Sequence, residues 1–229
     1  MLTNTPPPPA ATPLPPTPPL PRRIKLRLQR AYLDWKGPRR ERQWLYSWPF
    51  INSVEGWMTL GQERWLFEAA YSLASPANIV EIGSFKGRST VALASGCRGR
   101  RKRVFSIDTF DGGGWDLDQR DFFAEFSENV KRCRVSQHVT VLRGKSTDVA
   151  SGWSRPIHML FIDGCHEYEA AKADFDCYFP HVVPGGIVAF HDVNEDWPGV
   201  LRLWNETVRD RLVDVGDCHS LAHGRKRKR

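Results

Sequence analysis

The alternation of short apolar segments with stretches of helical spacing constrains the fold of this chain more than any other feature. The apolar segments predict five strands, over residues 78–82, 104–107, 139–142, 157–162 and 186–190. Apolar residues at helical spacing predict helices before, between and after these strands, over residues 62–74, 88–96, 117–132, 167–179 and 199–210. Nearly continuous apolar strands are typical of a parallel sheet that helices cover on both faces. We therefore predict a three-layer α/β fold with a mostly parallel sheet, closed by a short C-terminal hairpin over residues 212–215 and 220–222.

The two ends of the chain differ in composition from this α/β region. Residues 5–21 are dominated by proline, which fixes φ and removes backbone donors, so we predict a disordered leader over residues 1–21. A basic extension follows over residues 22–55, and its residues 22–34 have the imperfect apolar face of an amphipathic helix. We place the α/β domain at residues 56–224 and a basic tail at residues 225–229.

Charge and cysteine content limit the class of protein. The net charge is +7, and the basic residues are concentrated in the extension and the tail, which either bind an anionic partner or simply stay solvated. We expect no nucleic-acid partner. The five cysteines include no pair at CxxC spacing, which argues against a disulfide framework or a zinc site and favours a reducing compartment. No apolar stretch is long enough for a signal peptide or a membrane span, so we expect a cytoplasmic protein.

The residues that follow the first two strands have the spacing of a site for a nucleoside ligand. Gly83 and Gly87 flank a strand-to-helix turn in the pattern E-x-G-x-x-x-G, and such a pair lets a ligand approach the backbone closely. Asp108 ends the second strand, where a carboxylate can accept both hydroxyls of a ribose. The G-x-G-x-x-G pattern of dinucleotide enzymes is absent, which argues against a pyrophosphate ligand. An ordinary turn and a helix cap are the structural alternatives for these residues.

Four further polar residues follow the fourth and fifth strands: Asp163, His166, His191 and Asp192. In a parallel sheet these strand ends border the same crevice as the end of the first strand, because ligands bind beyond the carboxyl ends of the strands. Carboxylates and imidazoles at this edge are costly to bury unless they are paired, ligated or used in catalysis. A hydrogen-bonded structural role is the alternative for His166, and a cap is the alternative for Asp192.

Five motifs in this order resemble those of Rossmann-fold, S-adenosylmethionine-dependent methyltransferases: VEIGSFKGRSTVALA, FSIDTFDG, VTVLRGKSTDVA, LFIDGCHEYEAAKADFDCYFPHVVPGGIVAFHDV and PGVLRLW. The F-I-D-G-x-H-x-Y signature is similar to that of macrocin O-methyltransferase and cephalosporin hydroxylase-type proteins. The resemblance runs from about residue 56 to residue 226 and implies a seven-stranded Rossmann-like sheet with a final antiparallel strand. It also implies that Asp108 holds the cofactor's ribose and that Ser146 lies near its adenine. The full set of implied cofactor residues is Glu81, Gly83, Ser84, Gly87, Asp108, Ser146 and Asp163.

Two catalytic hypotheses remain open beside this resemblance. Methyl transfer from a sulfonium to a hydroxyl requires an aligned acceptor and removal of its proton. His191 is the first candidate for the general base, because imidazole titrates near neutral pH, and His166 is the second. Some relatives bind a divalent cation at the fourth and fifth strand ends, so Asp163 and Asp192 are candidate ligands for Mg²⁺. His191, however, departs from the acidic residue found in part of the group.

We therefore predict an S-adenosylmethionine-dependent O-methyltransferase that acts on a sugar or another small polar metabolite, either alone or as a homo-oligomer. The substrate class follows from the resemblance and not from the residues. The alternative is a binding protein that keeps the fold without turnover and docks an anionic partner through its basic ends. A nucleotide-dependent oxidoreductase is disfavoured because the G-x-G-x-x-G pattern is missing.

Overall fold

The computed structural model describes residues 37–112 and 121–228. The predictions for the proline-rich leader, for a basic helix over residues 22–34 and for the first four residues of the helix 117–132 lie outside the described residues. Within the described residues, no helix combines the length and the apolar character needed to cross a membrane.

A seven-stranded sheet forms the centre of the fold. Its strands are β1 (Ala77–Ile82), β2 (Lys102–Asp108), β3 (Val139–Arg143), β4 (Ile157–Ile162), β5 (Val182–Phe190), β6 (Leu212–Cys218) and β7 (Leu221–Lys226). They lie in the order β3-β2-β1-β4-β5-β7-β6. The first five strands pair in parallel, whereas β7 is antiparallel to both β5 and β6. This topology confirms the predicted Rossmann-like sheet with its C-terminal antiparallel hairpin.

Helices cover both faces of the sheet. They are α1 (Arg39–Ile51), α2 (Leu60–Ser72), α3 (Arg88–Gly96), α4 (Phe123–Arg132), α5 (Ser146–Ala150), α6 (Tyr168–Tyr178) and α7 (Pro198–Leu203). A π-helical segment, Trp204–Val208, continues α7. The sequence did not predict α5, because five residues are too few to show a helical period.

The alternation of side chains along β1 produces two cores, one on each face of the sheet. Ile79 lies in the cluster that contains Phe67 of α2, whereas Val80 and Ile82 lie in the cluster that contains Phe175 of α6. Successive strand residues point to opposite faces, so a strand covered on both sides must be apolar at nearly every position. This requirement explains why the apolar segments located the strands so well.

The compact domain begins earlier and ends later than the sequence predicted. A compact unit begins at Gln43, and Trp44, Ile51 and Val54 are buried in the same core cluster as the α2 side chains. The boundary expected at residue 56 therefore lies inside this unit, because the basic residues of α1 obscure its apolar face. The boundary expected at residue 224 is displaced as well, because β7 continues to Lys226.

The crevice beyond the central strands is the place where this sheet can bind a ligand. β1 pairs with β2 on one side and with β4 on the other, so the direction in which strands are added reverses at β1. The register pairs Ile82 with both Ile107 and Ile162. The residues that follow these three strands therefore leave the sheet at the same level and border one crevice.

Candidate active site

The turn after β1 requires glycine at two positions. Gly83 has a φ of +83° and Gly87 a φ of +92°, both in the left-handed region that favours glycine. A Cβ on Gly83 would lie 2.0 Å from the carbonyl oxygen of Asp163. The Asp163 amide in turn donates to the carbonyl of Ile82 at 2.8 Å. The ends of β1 and β4 are thus in direct contact, and no side chain fits between them.

The carboxylate of Glu81 holds this turn through hydrogen bonds. It is fully buried, and its Oε2 accepts hydrogen bonds from the hydroxyls of Ser84 (3.2 Å) and Thr90. The Ser84 hydroxyl also lies 2.5 Å from that of Ser106 on β2. Burial raises the pKa of Glu81 to about 7, although the nearby hydroxyls oppose the shift. Its other oxygen, Oε1, is buried without a hydrogen-bond partner among the described residues.

Asp108 connects the end of β2 to the same turn. Its Oδ2 accepts from the backbone amides of Ser84 at 2.7 Å and Phe85 at 2.9 Å, and its Oδ1 accepts from the amide of Phe110 at 2.7 Å. A carboxylate oxygen has two lone-pair directions, so Oδ1 can accept one more hydrogen bond. The carboxylate predicted to hold a ribose therefore lies beside the glycine turn and retains acceptor capacity.

Ser146 lies on the other side of Asp108, at the start of α5. The amide of Gly144 donates to the carbonyl of Asp108 at 2.9 Å, which holds the turn after β3 against the end of β2. The Ser146 hydroxyl donates to Oδ1 of Asp174, and the Tyr178 hydroxyl donates to the Ser146 carbonyl at 2.9 Å. The sequence analysis missed Asp174, although an acidic residue beside the apolar positions of α6 was a visible signal.

The polar residues after β4 and β5 form one cluster. His191 Nδ1 lies 3.1 Å from Oδ1 of Asp163 and 3.1 Å from Oδ2 of Asp192. The same Asp192 oxygen lies 3.2 Å from Nε2 of His166. Asp192 adopts a φ of +58°, an uncommon conformation for a residue with a side chain. The four residues predicted at these strand ends therefore form one connected cluster. Gly83 lies against Asp163, which belongs to this cluster.

Gln62, which the sequence analysis missed, contacts the second ring nitrogen of His191. Its Oε1 accepts from the backbone amide of Thr59 at 2.9 Å, and its Nε2 donates to the Ser220 hydroxyl at 2.9 Å. A backbone N–H can only donate, so the amide orientation of Gln62 is fixed. His191 Nε2 lies 3.3 Å from this same Oε1, which can accept a hydrogen bond from a protonated Nε2. Its Nδ1 faces two carboxylates, so both ring nitrogens lie beside acceptors, which favours the imidazolium form of His191.

The pKa shifts of His191 and Asp192 agree with the hydrogen-bond donors and acceptors around them. Burial disfavours a charged His191, but the neighbouring carboxylates of Asp163 and Asp192 outweigh it and raise the pKa of His191 to about 10. Burial likewise opposes ionisation of Asp192, but hydrogen bonds from His166 and His191 hold the pKa of Asp192 below its usual range. The buried cation and the carboxylates thus stabilise each other's charged forms.

This arrangement does not fit a divalent cation between the two carboxylates. Ligand atoms of Asp163, His191 and Asp192 all lie within 4.8 Å of one another, which is close enough for a metal site. However, Oδ1 of Asp163 and Oδ2 of Asp192 both accept from the His191 imidazolium, and a second positive charge placed there would be repelled. The carboxylates therefore already have a counter-ion.

Aromatic side chains border the glycine turn. Trp57 is 57% exposed, and its ring stacks on Phe85 with centroids 4.7 Å apart. Phe85 in turn contacts Phe122 at the same centroid distance. The sequence analysis missed this group, because Trp57 precedes the first strand and nothing local relates it to the turn. An exposed indole beside the crevice offers a ligand a flat stacking surface.

Comparison with known proteins finds a family model that matches the central part of the chain. Residues 80–193 match the family model described as a methyltransferase domain. One curated relative is the uncharacterized protein y4gI of Sinorhizobium fredii (strain NBRC 101917 / NGR234), 28% identical over 170 residues that make up 69% of this chain. Another is the uncharacterized protein R132 of Acanthamoeba polyphaga mimivirus, 27% identical over 136 residues, 57% of this chain. The matched regions cover 17% and 59% of these two proteins, respectively.

Solved structures share the fold. The SAH-bound methyltransferase PaMTH1 of Podospora anserina superimposes with a TM-score of 0.62 at 14% identity, covering 94% of this chain and 100% of that one. CalS11, a TDP-rhamnose 3'-O-methyltransferase in calicheamicin biosynthesis, gives a TM-score of 0.57 at 20% identity, covering 91% of this chain and 96% of that one. At these identities the likeness establishes the Rossmann-like fold and nothing finer.

Proposed function

From the methyltransferase domain that this chain carries, we infer that it is an S-adenosylmethionine-dependent O-methyltransferase. The observation that carries this proposal is the contact between Gly83 and Asp163, because it joins the predicted cofactor turn to a cluster of carboxylates and imidazoles. A binding protein without turnover is not favoured, since such a protein has no need of a buried charged cluster at this edge. Membership of the F-I-D-G-x-H-x-Y subgroup is part of the proposal, carried by the segment 161–168.

The residues around the turn are suited to this cofactor. Oε1 of Glu81 is a buried acceptor without a partner among the described residues, Gly83 and Gly87 give the turn its left-handed conformation, and Oδ1 of Asp108 can accept one more hydrogen bond, from a ribose hydroxyl. When bound, S-adenosylmethionine supplies a methyl group already activated by the sulfonium. The protein then has to align the acceptor and remove its proton. We assign cofactor binding to Glu81, Gly83, Ser84, Gly87, Asp108, Ser146 and Asp163.

We propose a sugar or another small polar metabolite as the acceptor. The cluster after β4 and β5 offers carboxylate acceptors to hydroxyl donors, and Trp57 offers a stacking face beside the turn. This combination suits a ring that carries several hydroxyls. The acceptor named for CalS11, TDP-rhamnose, is of this kind and gives a first compound to test.

Proton removal is assigned to His166 rather than to His191, the first candidate of the sequence analysis. His191 already carries a proton on each ring nitrogen, and its side chain is 5% exposed. The His166 side chain is 18% exposed, and its ring lies against Trp197 at a centroid distance of 4.0 Å. Nε2 of His166 lies 3.2 Å from Oδ2 of Asp192, a carboxylate that holds the ring in place and stabilises the charge formed when the ring takes up a proton.

A magnesium-dependent mechanism through Asp163 and Asp192 is the second hypothesis from the sequence. We derive no step through a metal, because the His191 imidazolium occupies the position between these carboxylates. The role of the His191 imidazolium in the proposal is to keep Asp192 in place as the partner of His166. EDTA should then leave turnover unchanged.

Calorimetric titration with S-adenosylhomocysteine tests the cofactor site. The wild-type protein should bind it, and Asp108→Ala should weaken the affinity by about tenfold or more, because charge-assisted hydrogen bonds contribute about 1.5–3 kcal/mol. Asp176→Ala, an exposed carboxylate on α6, is the matched control and should bind like wild type. Absence of binding to the folded wild-type protein would exclude the proposed function.

Methyl transfer is then measured with S-adenosylmethionine labelled in its methyl group and TDP-rhamnose as acceptor. His166→Asn should lower kcat by about 10²-fold or more and leave the affinity for S-adenosylhomocysteine unchanged, since general-base catalysis contributes about 10²–10⁴-fold. Full activity of a folded His166→Asn protein would contradict the assignment of the base.

A further inference from the structure

Asp174 is a buried acidic residue that the proposed chemistry does not use. It lies on α6 and is 6% exposed, next to the core residue Phe175. Its Oδ1 accepts from the Ser146 hydroxyl at the start of α5. Its Oδ2 lies 3.3 Å from the point where a Cβ on Gly164 would stand. Asp174 is therefore enclosed between the turn after β3 and the loop after β4, the two segments that border the crevice on this side.

The charge of Asp174 determines whether the Ser146 hydroxyl donates or accepts a hydrogen bond toward a ligand. Burial raises the pKa of Asp174 to about 6, so at pH 8 the side chain is ionised and can only accept hydrogen bonds. The hydrogen of the Ser146 hydroxyl is consequently committed to Asp174. The two lone pairs of the half-buried Ser146 oxygen remain, and toward a ligand that reaches them Ser146 can only be an acceptor.

Backbone hydrogen bonds hold Ser146 in position as well. The Tyr178 hydroxyl holds its carbonyl at 2.9 Å, and the Gly144 amide holds the turn to the Asp108 carbonyl. Ser146 is thus attached to the strand end that carries the predicted ribose acceptor. A base joined to a ribose at Asp108 comes within reach of this turn, and it meets an acceptor that cannot rotate away.

We propose that Asp174 is a specificity-determining residue, which orients the Ser146 hydroxyl so that the site selects a cofactor base with an amino group over one with an oxo group. The inference rests on the proposed cofactor. Adenine presents an exocyclic amine, a donor, to the Ser146 lone pairs. Hypoxanthine has an oxygen at that position, which would face the lone pairs without a hydrogen between them.

The test compares S-adenosylhomocysteine with S-inosylhomocysteine, which has an oxo group in place of the exocyclic amine and a hydrogen on the adjacent ring nitrogen, by calorimetry at pH 8. The wild-type protein should prefer the adenosyl compound by about tenfold, the discrimination that one hydrogen bond supplies. In Asp174→Ala the Ser146 hydroxyl can turn and donate to the oxo group, so the preference should fall to about one. Asp176→Ala, the same change at an exposed position of the same helix, should keep the wild-type ratio.

Ser146→Ala provides a second test, which remains decisive if Asp174→Ala does not fold. The substitution is at a half-buried helix start and should also reduce the ratio to about one. A wild-type protein that binds both compounds equally, or a folded variant of either kind that keeps the tenfold preference, would overturn the role of Asp174. A wild-type protein that binds neither compound would instead overturn the proposed function, so the two failures are distinguishable.

Discussion

Nε2 of His191 lies 3.3 Å from Oε1 of Gln62, an oxygen that already accepts a hydrogen bond from a backbone amide. Gln62 belongs to α2, before the first strand of the sheet, and His191 follows the fifth strand. The pair shows that a residue outside the segment matched by the methyltransferase family model contacts a residue of the polar cluster inside it. The polar cluster after β4 and β5 is therefore in contact with helix α2 as well as with the sheet.

The first prediction is that His191 is doubly protonated at pH 8. Nuclear magnetic resonance of the imidazole nitrogens should show N–H groups at both positions, because the folded-state pKa is about 10. Gln62→Leu should lower this pKa, since it leaves Nε2–H buried without an acceptor. Gln43→Leu, at a glutamine that binds the Ser95 carbonyl instead, is the control and should leave the titration of His191 unchanged. One bare ring nitrogen in the wild-type protein at pH 8 would refute the imidazolium.

The raised pKa of His191 makes the stability of the fold depend on pH in a defined way. The pKa of His191 is higher in the folded state than the ordinary value of 6.5. The stabilisation is therefore complete below about pH 6.5 and is lost as pH rises to about 10. Urea unfolding between pH 7 and pH 10 should show a decline for wild type that His191→Asn lacks. Parallel pH profiles for the two proteins would contradict this assignment.

The second prediction concerns metal ions. Neither magnesium chloride nor EDTA should change the melting temperature, because His191 already neutralises the carboxylates that would bind the ion. Ligand linkage makes melting a sensitive test, since an ion bound at 100 times its Kd would stabilise the fold by about 2.7 kcal/mol. A magnesium-dependent rise in melting temperature that disappears in Asp163→Asn would favour the metal hypothesis.

The third prediction concerns the buried Glu81. Its pKa is raised from 4.5 to about 7, so the folded state binds a proton more tightly than the unfolded state does. The penalty for its charge is therefore absent below about pH 4.5 and complete above about pH 7. Between pH 5 and pH 8, wild type should lose about 2–3 kcal/mol of unfolding free energy relative to Glu81→Gln, at about 1.36 kcal/mol per pKa unit. Urea denaturation at both pH values measures this difference, and an unchanged difference would show that Glu81 ionises normally.

The fourth prediction concerns the ion pair of Arg88 and Glu63, which ties α2 to the residue after the glycine turn. Glu63 is fully buried, and burial raises its pKa despite the attraction of Arg88. Arg88 also donates to the Val54 carbonyl at 2.9 Å. Arg88→Met should cost about 3–5 kcal/mol, because it leaves a buried carboxylate unpaired. Urea denaturation provides the measurement.

A double variant separates the charge from the packing at this site. Arg88→Met combined with Glu63→Leu should recover most of the loss, because neither charge is then buried. Arg202→Met, which breaks an exposed pair with Glu206, is the control and should leave stability nearly unchanged. If Arg88→Met alone were equally harmless, the buried pair would not support the fold.

The sequence by itself determined the strands, the helices between them and the residues at the strand ends. These features are local: a strand buried on both faces must be apolar along its length, and the glycine turn needs its conformation wherever it folds. The positions of Gly83, Asp108, Asp163 and His191 around one crevice followed from strand order, because parallel strands end at the same edge. The sequence could go no further, since it did not reveal which polar groups touch.

Only the tertiary structure decided what these residues can do chemically. The charge of His191 depends on Asp163 and Asp192, its second ring nitrogen lies against Gln62, and the Ser146 hydroxyl donates to Asp174. Each of these contacts except that between His191 and Asp192 joins segments that are far apart in the chain. The donors and acceptors around a buried group fix its protonation, because an unpaired polar or charged group is costly away from water. Such partners leave no periodic trace in the sequence, so the contacts of His191 with its carboxylates and of Ser146 with Asp174 became visible only in the folded structure.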